Sequence, residues 1–238
     1  MVPEKMRVLG LGAHPDDMEW MCGGTLAKFA RLGHSVSICH ISNGNKGSFR
    51  YSSEELAKVR RQEAIAAAKV IGATSLTCDI PDGEVVLNVE NERRVTEIIR
   101  QAAPDVVITM DPNDYHGDHR ATGEMAIHCT FMASCPLYKT AAGALKKVPL
   151  LYFCDTLTGV NFTPTDYVDV TEDYPTRLKM MLAHTSQLEW TAQRGEDEIM
   201  EDFKVVCRLR GMQCGVKYAE AFRVCPTAAR AVTYRVLP

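Results

Sequence analysis

The stretch "GLGAHPDDMEWMCGGTLAKFARLGHSV", residues 10–36, decides the fold. An apolar run from Met6 to Ala13 reads as a buried strand and breaks off at His14, Pro15, Asp16 and Asp17. Glu19 follows two residues later. From Cys22 to Arg31 the apolar residues return at helical spacing, and Gly33 can close that helix in a left-handed conformation. Val36 to Ile41 is strand-like again. A histidine and three carboxylates therefore stand at the mouth of the first strand, where a stable core has no use for them.

The same alternation continues outward. Ser52 with Glu55 forms a potential capping box for a helix running to about Ile71, with Gly72 as its stop. Leu76–Ile80 is a third strand, Glu90–Ala103 a helix, Val106–Met110 a fourth strand, Arg120–Met132 a helix and Leu150–Cys154 a fifth strand. Thr171 is placed to cap a helix to about Leu182, and Glu198–Leu209 reads as helical. The expected fold is α/β: a Rossmann-like, doubly wound, mostly parallel sheet with helices on both faces. In such sheets ligands bind beyond the carboxyl ends of the strands. The polar segments 14–19, 42–48, 81–84 and 111–119 all follow strands, so all four should meet on one rim, with the active site there. The last third is expected to wrap the sheet and cover one side of that rim.

Composition sets the bounds. With 238 residues and 46% hydrophobic content the chain has ample material for one domain spanning 1–238, and no linker or repeat divides it. A net charge of −3, from 27 basic and 30 acidic residues, gives no bulk attraction to nucleic acid or a membrane surface. The nine cysteines are odd in number and include no C-x-x-C pair, which reads as reduced thiols in a cytoplasmic protein rather than a zinc finger. No apolar stretch approaches the roughly 18 residues of a membrane span, and the first residues hold no signal-peptide pattern.

The rim carries the chemistry. Catalytic zinc sites take His nitrogen and carboxylate oxygen from three protein ligands and keep one position open. His14 and Asp17 can face one point across the Pro15 turn. The segment Tyr115-His116-Gly117-Asp118-His119 follows the fourth strand, commonly a neighbour of the first, so His116 or His119 could complete the set. Asp16 would then be free to take a proton from water. The remaining histidine could stabilise an oxyanion, with Asp118 fixing its tautomer. The plainer reading is that Asp16 or Asp17 caps the following helix. Two such clusters on one predicted rim favour a metal, because crowded carboxylates repel without a cation.

These residues resemble a known family. Ala13-His14-Pro15-Asp16-Asp17-x-Glu19, continuing into Cys22-Gly23-Gly24-Thr25, is similar to the signature of the LmbE/PIG-L zinc-dependent deacetylases, which remove acetyl groups from N-acetylglucosamine units. His116-Gly117-Asp118-His119, Arg60-x-x-Glu63, Pro81-Asp82-Gly83, Ser186-Gln187 and the segment from Gly215 to Phe222 extend the likeness over most of the chain. The resemblance implies His14, Asp17 and His119 as ligands of Zn2+ or another divalent metal. It implies Asp16 as general base, His116 as the group that holds the tetrahedral intermediate, and Asp118 as its carboxylate partner. It implies Arg60 and Asp82 as contacts to an N-acetylated amino sugar, and a homotrimer or homohexamer. The sequence departs from the pattern at Gly117, where Pro is frequent, and in the 42–48 loop, which lacks the family's acidic residue.

Other residues have weaker signals. His184 lies at an expected helix end, where it either complements the dipole or reaches substrate from the rim. Glu19 is read as partner to a ligand or as a helix-start carboxylate. Arg60 and Glu63 alone would be an ordinary i,i+3 ion pair. His34, His40 and His128 show no partner pattern, and Trp20 and Trp190 suit packing. Gly10-x-Gly12 lacks the third glycine of a dinucleotide fingerprint. A de-N-acylase of a non-sugar amide and a catalytically idle binding protein are the alternatives to the deacetylase.

Overall fold

A computed structural model of the chain describes residues 5–196, 198–228, 230 and 232–238. Its elements run β1 (Arg7–Gly12), α1 (Asp17–Arg31), β2 (Ser35–Ser42), α2 (Ser53–Val70), β3 (Thr74–Ile80), α3 (Val89–Ala102), β4 (Val106–Thr109) and α4 (Gly117–Met132). They continue with β5 (Leu150–Cys154), β6 (Asp166–Asp169), α5 (Tyr174–Met181), α6 (Thr185–Gln193), α7 (Ile199–Cys214) and β7 (Ala219–Val224). One seven-stranded sheet has the order β3-β2-β1-β4-β5-β7-β6. The first five strands in that order are parallel; β7 pairs antiparallel with both β5 and β6. The chain order reverses between β1 and β4, which opens the ligand crevice of a doubly wound sheet beyond their carboxyl ends.

Both faces are covered, so β1 is apolar and buried from Val8 to Gly12 instead of alternating. Leu9 and Leu11 belong to a core with Val95, Ile99 and Met125 from α3 and α4. Val8 belongs to the opposite core with Met18, Leu26 and Phe29 from α1. Gly10 lets that helix lie close: a Cβ there would stand 3.2 Å from Leu26 and 3.3 Å from Met18. The capping box of Ser52 and Glu55 forms as read, and Asn88 caps α3 through the Asn91 N–H.

The last third differs from expectation. It does not merely wrap the sheet; it extends it by the antiparallel strands β6 and β7. α5 starts after Asp173, not at a Thr171 cap, and α6 was not anticipated. α1 begins at Asp17, five residues earlier than its apolar spacing implies, and has non-helical geometry at Cys22 (φ −145°, ψ 21°). All nine cysteines are free, and seven are buried. Among the described residues no helix is long and apolar enough to cross a membrane.

Candidate metal centre and pocket

The four strand-end segments meet as the topology demands. His14 Nε2 lies 3.3 Å from Asp82 Oδ1 and 3.3 Å from Asp118 Oδ2. The Gly83 N–H donates to Asp118 Oδ2 at 2.8 Å, and the Asp82 N–H donates to Asn45 Oδ1 at 3.0 Å. A pocket of about 560 Å³ opens here, lined by His14, Asp16, Asp17, Asp82, His116 and His119 at its polar end.

Asp17 joins the two histidines expected to share a metal with it. Its Oδ2 is 3.4 Å from His14 Nδ1 and its Oδ1 is 3.3 Å from His119 Nε2. Oδ2 also accepts the His14 backbone N–H at 2.6 Å, which closes the Pro15 turn. Among the described residues two trios have ligating atoms within 4.8 Å of one another: His14, His116 and His119, and His14, Asp82 and Asp118. Nitrogen and carboxylate donors at this spacing fit a divalent ion such as zinc.

The charges point the same way. Burial alone would lower His14, but the carboxylates of Asp17, Asp118 and Asp82 outweigh it and hold the imidazole well above its usual range. His119, also opposed by burial, is lifted to about 9 by Asp17 and Asp114. Burial would raise Asp17, yet His119 and His14 keep it well below the ordinary carboxylate range. The centre is thus built to be neutralised by positive charge. His116, on the open side, is pushed down by burial and by its imidazole neighbours, with ring centroids 4.5 Å from His119 and 5.0 Å from His14.

Asp16 behaves differently from Asp17. It occupies the N-cap position of α1 but makes no capping hydrogen bond, so capping does not explain it. Its backbone sits at φ 134°, a conformation a non-glycine residue adopts at a cost of about 1–3 kcal/mol. Arg60 holds it there: Nη2 donates to Asp16 Oδ2 at 2.9 Å and to the Pro15 carbonyl at 2.5 Å, and Nη1 donates to the Gly44 carbonyl at 3.2 Å. Burial pushes the Asp16 carboxyl up to about 6 against the pull of Arg60. Arg60 lines the pocket, but its guanidinium is buried and bonded to the Pro15–Asp16 turn and the Gly44 carbonyl instead of standing free. It forms no pair with Glu63.

Three further expectations change. Asp118 faces His14, not His116; the carboxylate that organises the histidine pair is Asp114, whose Oδ1 accepts the His116 N–H at 2.9 Å and whose Oδ2 lies 3.1 Å from His119 Nδ1. The sequence reading passed over Asp114, although its spacing of five residues before His119 across a turn was a usable signal. His184 is fully buried at the N-cap of α6, beneath the pocket and not on its rim. Glu19 contacts neither of the flanking ligand candidates. Fully buried, it places Oε2 3.2 Å from His40 Nε2 and Oε1 3.6 Å from His184 Nε2. Burial opposes its ionisation, but these two imidazoles hold it well below the usual range. Trp20 joins the core as expected, and it also lines the pocket together with Trp190.

The break in α1 at Cys22 is filled from the far end of the chain. Arg177 of α5 donates to the Trp20 carbonyl, which the break leaves without a helical partner. Glu220 of β7 accepts the N–H groups of Gly24 at 2.9 Å and Thr25 at 2.7 Å, and lies 3.3 Å from Arg177 Nε. This ion pair acts as a cap for both half-helices, and the close approach accounts for Gly24: a Cβ there would stand 2.8 Å from Val170 Cβ and 2.9 Å from Glu220 Oε1.

The chain is similar to known proteins over most of its length. The chain is 26% identical over 233 residues to the diacetylchitobiose deacetylase of Thermococcus kodakarensis, covering 92% of this chain and 83% of the relative. The solved N,N'-diacetylchitobiose deacetylase of Pyrococcus horikoshii superposes with a TM-score of 0.81 at 26% identity, over 94% of this chain and 84% of that one. The 4-oxalmesaconate hydratase of Pseudomonas putida is 24% identical over 89% of this chain and 81% of its own, which speaks for the fold alone. The family model described as PIG-L, GlcNAc-PI de-N-acetylase, matches residues 9–130, just over half of the chain, from within β1 past the His116–His119 segment, and the chain belongs to that family.

Proposed function

We propose that the protein is a zinc-dependent amide hydrolase that removes the acetyl group from an N-acetylglucosamine-type sugar. The observation that carries this reading is Asp16: a buried carboxylate, braced by Arg60, directly beside a cluster of ligating side chains in a member of a de-N-acetylase family. His14, Asp17 and His119 would hold the ion. Zinc, when bound, polarises an acyl oxygen and makes water a stronger nucleophile at neutral pH.

The chain's own groups do the rest. The Asp16 carboxylate takes the proton of the attacking water, and Arg60 keeps that carboxylate aimed while balancing its charge. His116 faces the open pocket and is the group able to donate to the oxygen that becomes negative, a contact typically worth roughly 3 kcal/mol. The same imidazole can pass a proton to the departing amine nitrogen. Asp82, at the pocket edge beside His14, is available to sugar hydroxyls.

The test is amine release from N-acetylglucosamine and N,N'-diacetylchitobiose by zinc-loaded and chelator-treated protein. Metal-dependent release is expected from at least one of them. No release from either, with hydration of 4-oxalmesaconate instead, would move the assignment to the reaction named for the hydratase relative.

A further inference from the structure

Helix α6 forms one wall of the pocket and carries Gln187, Trp190 and Thr191 into its lining. Its first turn is held from two other elements. Glu63 of α2 accepts the Ser186 N–H at 2.7 Å, the Thr185 hydroxyl at 2.7 Å and the Ser186 hydroxyl at 2.6 Å. His184, the N-cap, faces Glu19 of α1. The same α2 helix braces Asp16 through Arg60, so wall and catalytic turn share one support.

Gln187 sits on this fixed turn. It is only 7% exposed, and its side-chain oxygen is buried without a hydrogen-bond partner. Leaving a buried amide oxygen unmet is unfavourable, and side chains of this length ordinarily turn to find a donor. Trp190 and Thr191 lie three and four residues on, hence on the same helix face, and direct that face into the pocket. A neutral acceptor here complements the several carboxylates at the other end: it adds no charge and selects by the position of a donor.

We propose that Gln187 is a specificity-determining residue that accepts a hydrogen bond from a ring hydroxyl of the substrate sugar. The inference rests on the amino-sugar deacetylase reading, and it concerns recognition, not chemistry. It accounts for the Ser186-Gln187 pair: Ser186 fastens the turn to Glu63, and Gln187 reads the ligand.

The experiment compares wild type with Gln187→Met and Gln187→Leu in the zinc-loaded protein. Calorimetry measures affinity for glucosamine, the deacetylated sugar, and for cyclohexylamine, the same ring without hydroxyls. Acetate release from the two N-acetyl compounds is followed in parallel. The expected result is a loss of roughly fivefold to tenfold for the hydroxylated compounds alone, with an unchanged melting temperature. Equal losses for both rings, no loss for either, or a wild type that does not distinguish them would overturn the inference. Selective binding lost in both variants, without acetate release from wild type, would keep Gln187 as the sugar reader and remove the deacetylase assignment. Acetate release that the variants retain in full would do the reverse.

Discussion

Two adjacent glycines in α1 should respond unequally to alanine. At Gly24 the new methyl would lie 2.8 Å from Val170 Cβ and 2.9 Å from Glu220 Oε1, well inside van der Waals contact. Relieving it displaces both the backbone after β6 and the carboxylate that accepts the Gly24 N–H. Overpacking costs about 1–3 kcal/mol, and weakening a hydrogen bond to a charged acceptor about 1.5–3 kcal/mol. Better helix propensity returns about 1 kcal/mol. With both costs incurred the net loss is about 1.5–5 kcal/mol, which for a chain of this size lowers the melting temperature by roughly 3–20 °C. At Gly23 the nearest atom is Arg177 Cγ at 3.3 Å, a contact that a shift of a few tenths of an ångström relieves. Gly23→Ala should therefore stay within about 1 kcal/mol of wild type, since propensity offsets the contact. Urea unfolding of both variants, with thermal melts alongside, measures the contrast. Equal stabilities, or a Gly24→Ala protein as stable as wild type, would refute the account of the helix break.

Two other substitutions separate the parts of the site. Asp16→Asn should reduce amide hydrolysis by about 10²–10⁴-fold while the bound zinc, measured by atomic absorption, stays constant; loss of zinc together with activity would make Asp16 a ligand instead of a base. Glu63→Ala removes the acceptor for three donors at the start of α6 and should cost about 2–4 kcal/mol, raising KM for a sugar substrate more than it lowers kcat. An unchanged KM in a destabilised protein would show that Glu63 serves stability alone.

The parallel half of the fold was legible because its central strands β1, β4 and β5 are largely buried and read as apolar runs, and each of β1 to β4 is followed by a polar rim segment. Strands β6 and β7 were not, since the sequence Asp166-Tyr-Val-Asp169 is short and charged, and Ala219–Val224 contains Glu220 and Arg223. Those charges are tolerated because their partners arrive from far away: Glu220 meets α1, and Arg223 Nη2 meets Asp111 at the end of β4 at 2.5 Å. Distance along the chain hid the site's scaffolding for the same reason. The gathering of His14, Asp17 and His119 follows from strand order, whereas the meeting of Glu19 with His184 depends on a helix the sequence pattern did not reveal. The family resemblance implies Asp118 as the partner of His116, but the first turn of α4 places it 3.3 Å from His14 and leaves the histidine pair to Asp114. Local spacing says which groups sit on the rim; which of them touch is set by the turns between.

The break in α1 also bears on how the protein is completed as it is made. The candidate ligands and the base all lie between residues 14 and 119, so a ribosome has delivered them by the midpoint of the chain. The groups that close the broken turn beside them, Arg177 and Glu220, stand 157 and 196 residues from their partners Trp20 and Gly24. A chain stopped before β7 would hold every group for the chemistry, yet leave the Gly24 and Thr25 N–H groups to water. The break in α1 therefore cannot gain these caps until α5 and β7 have been made.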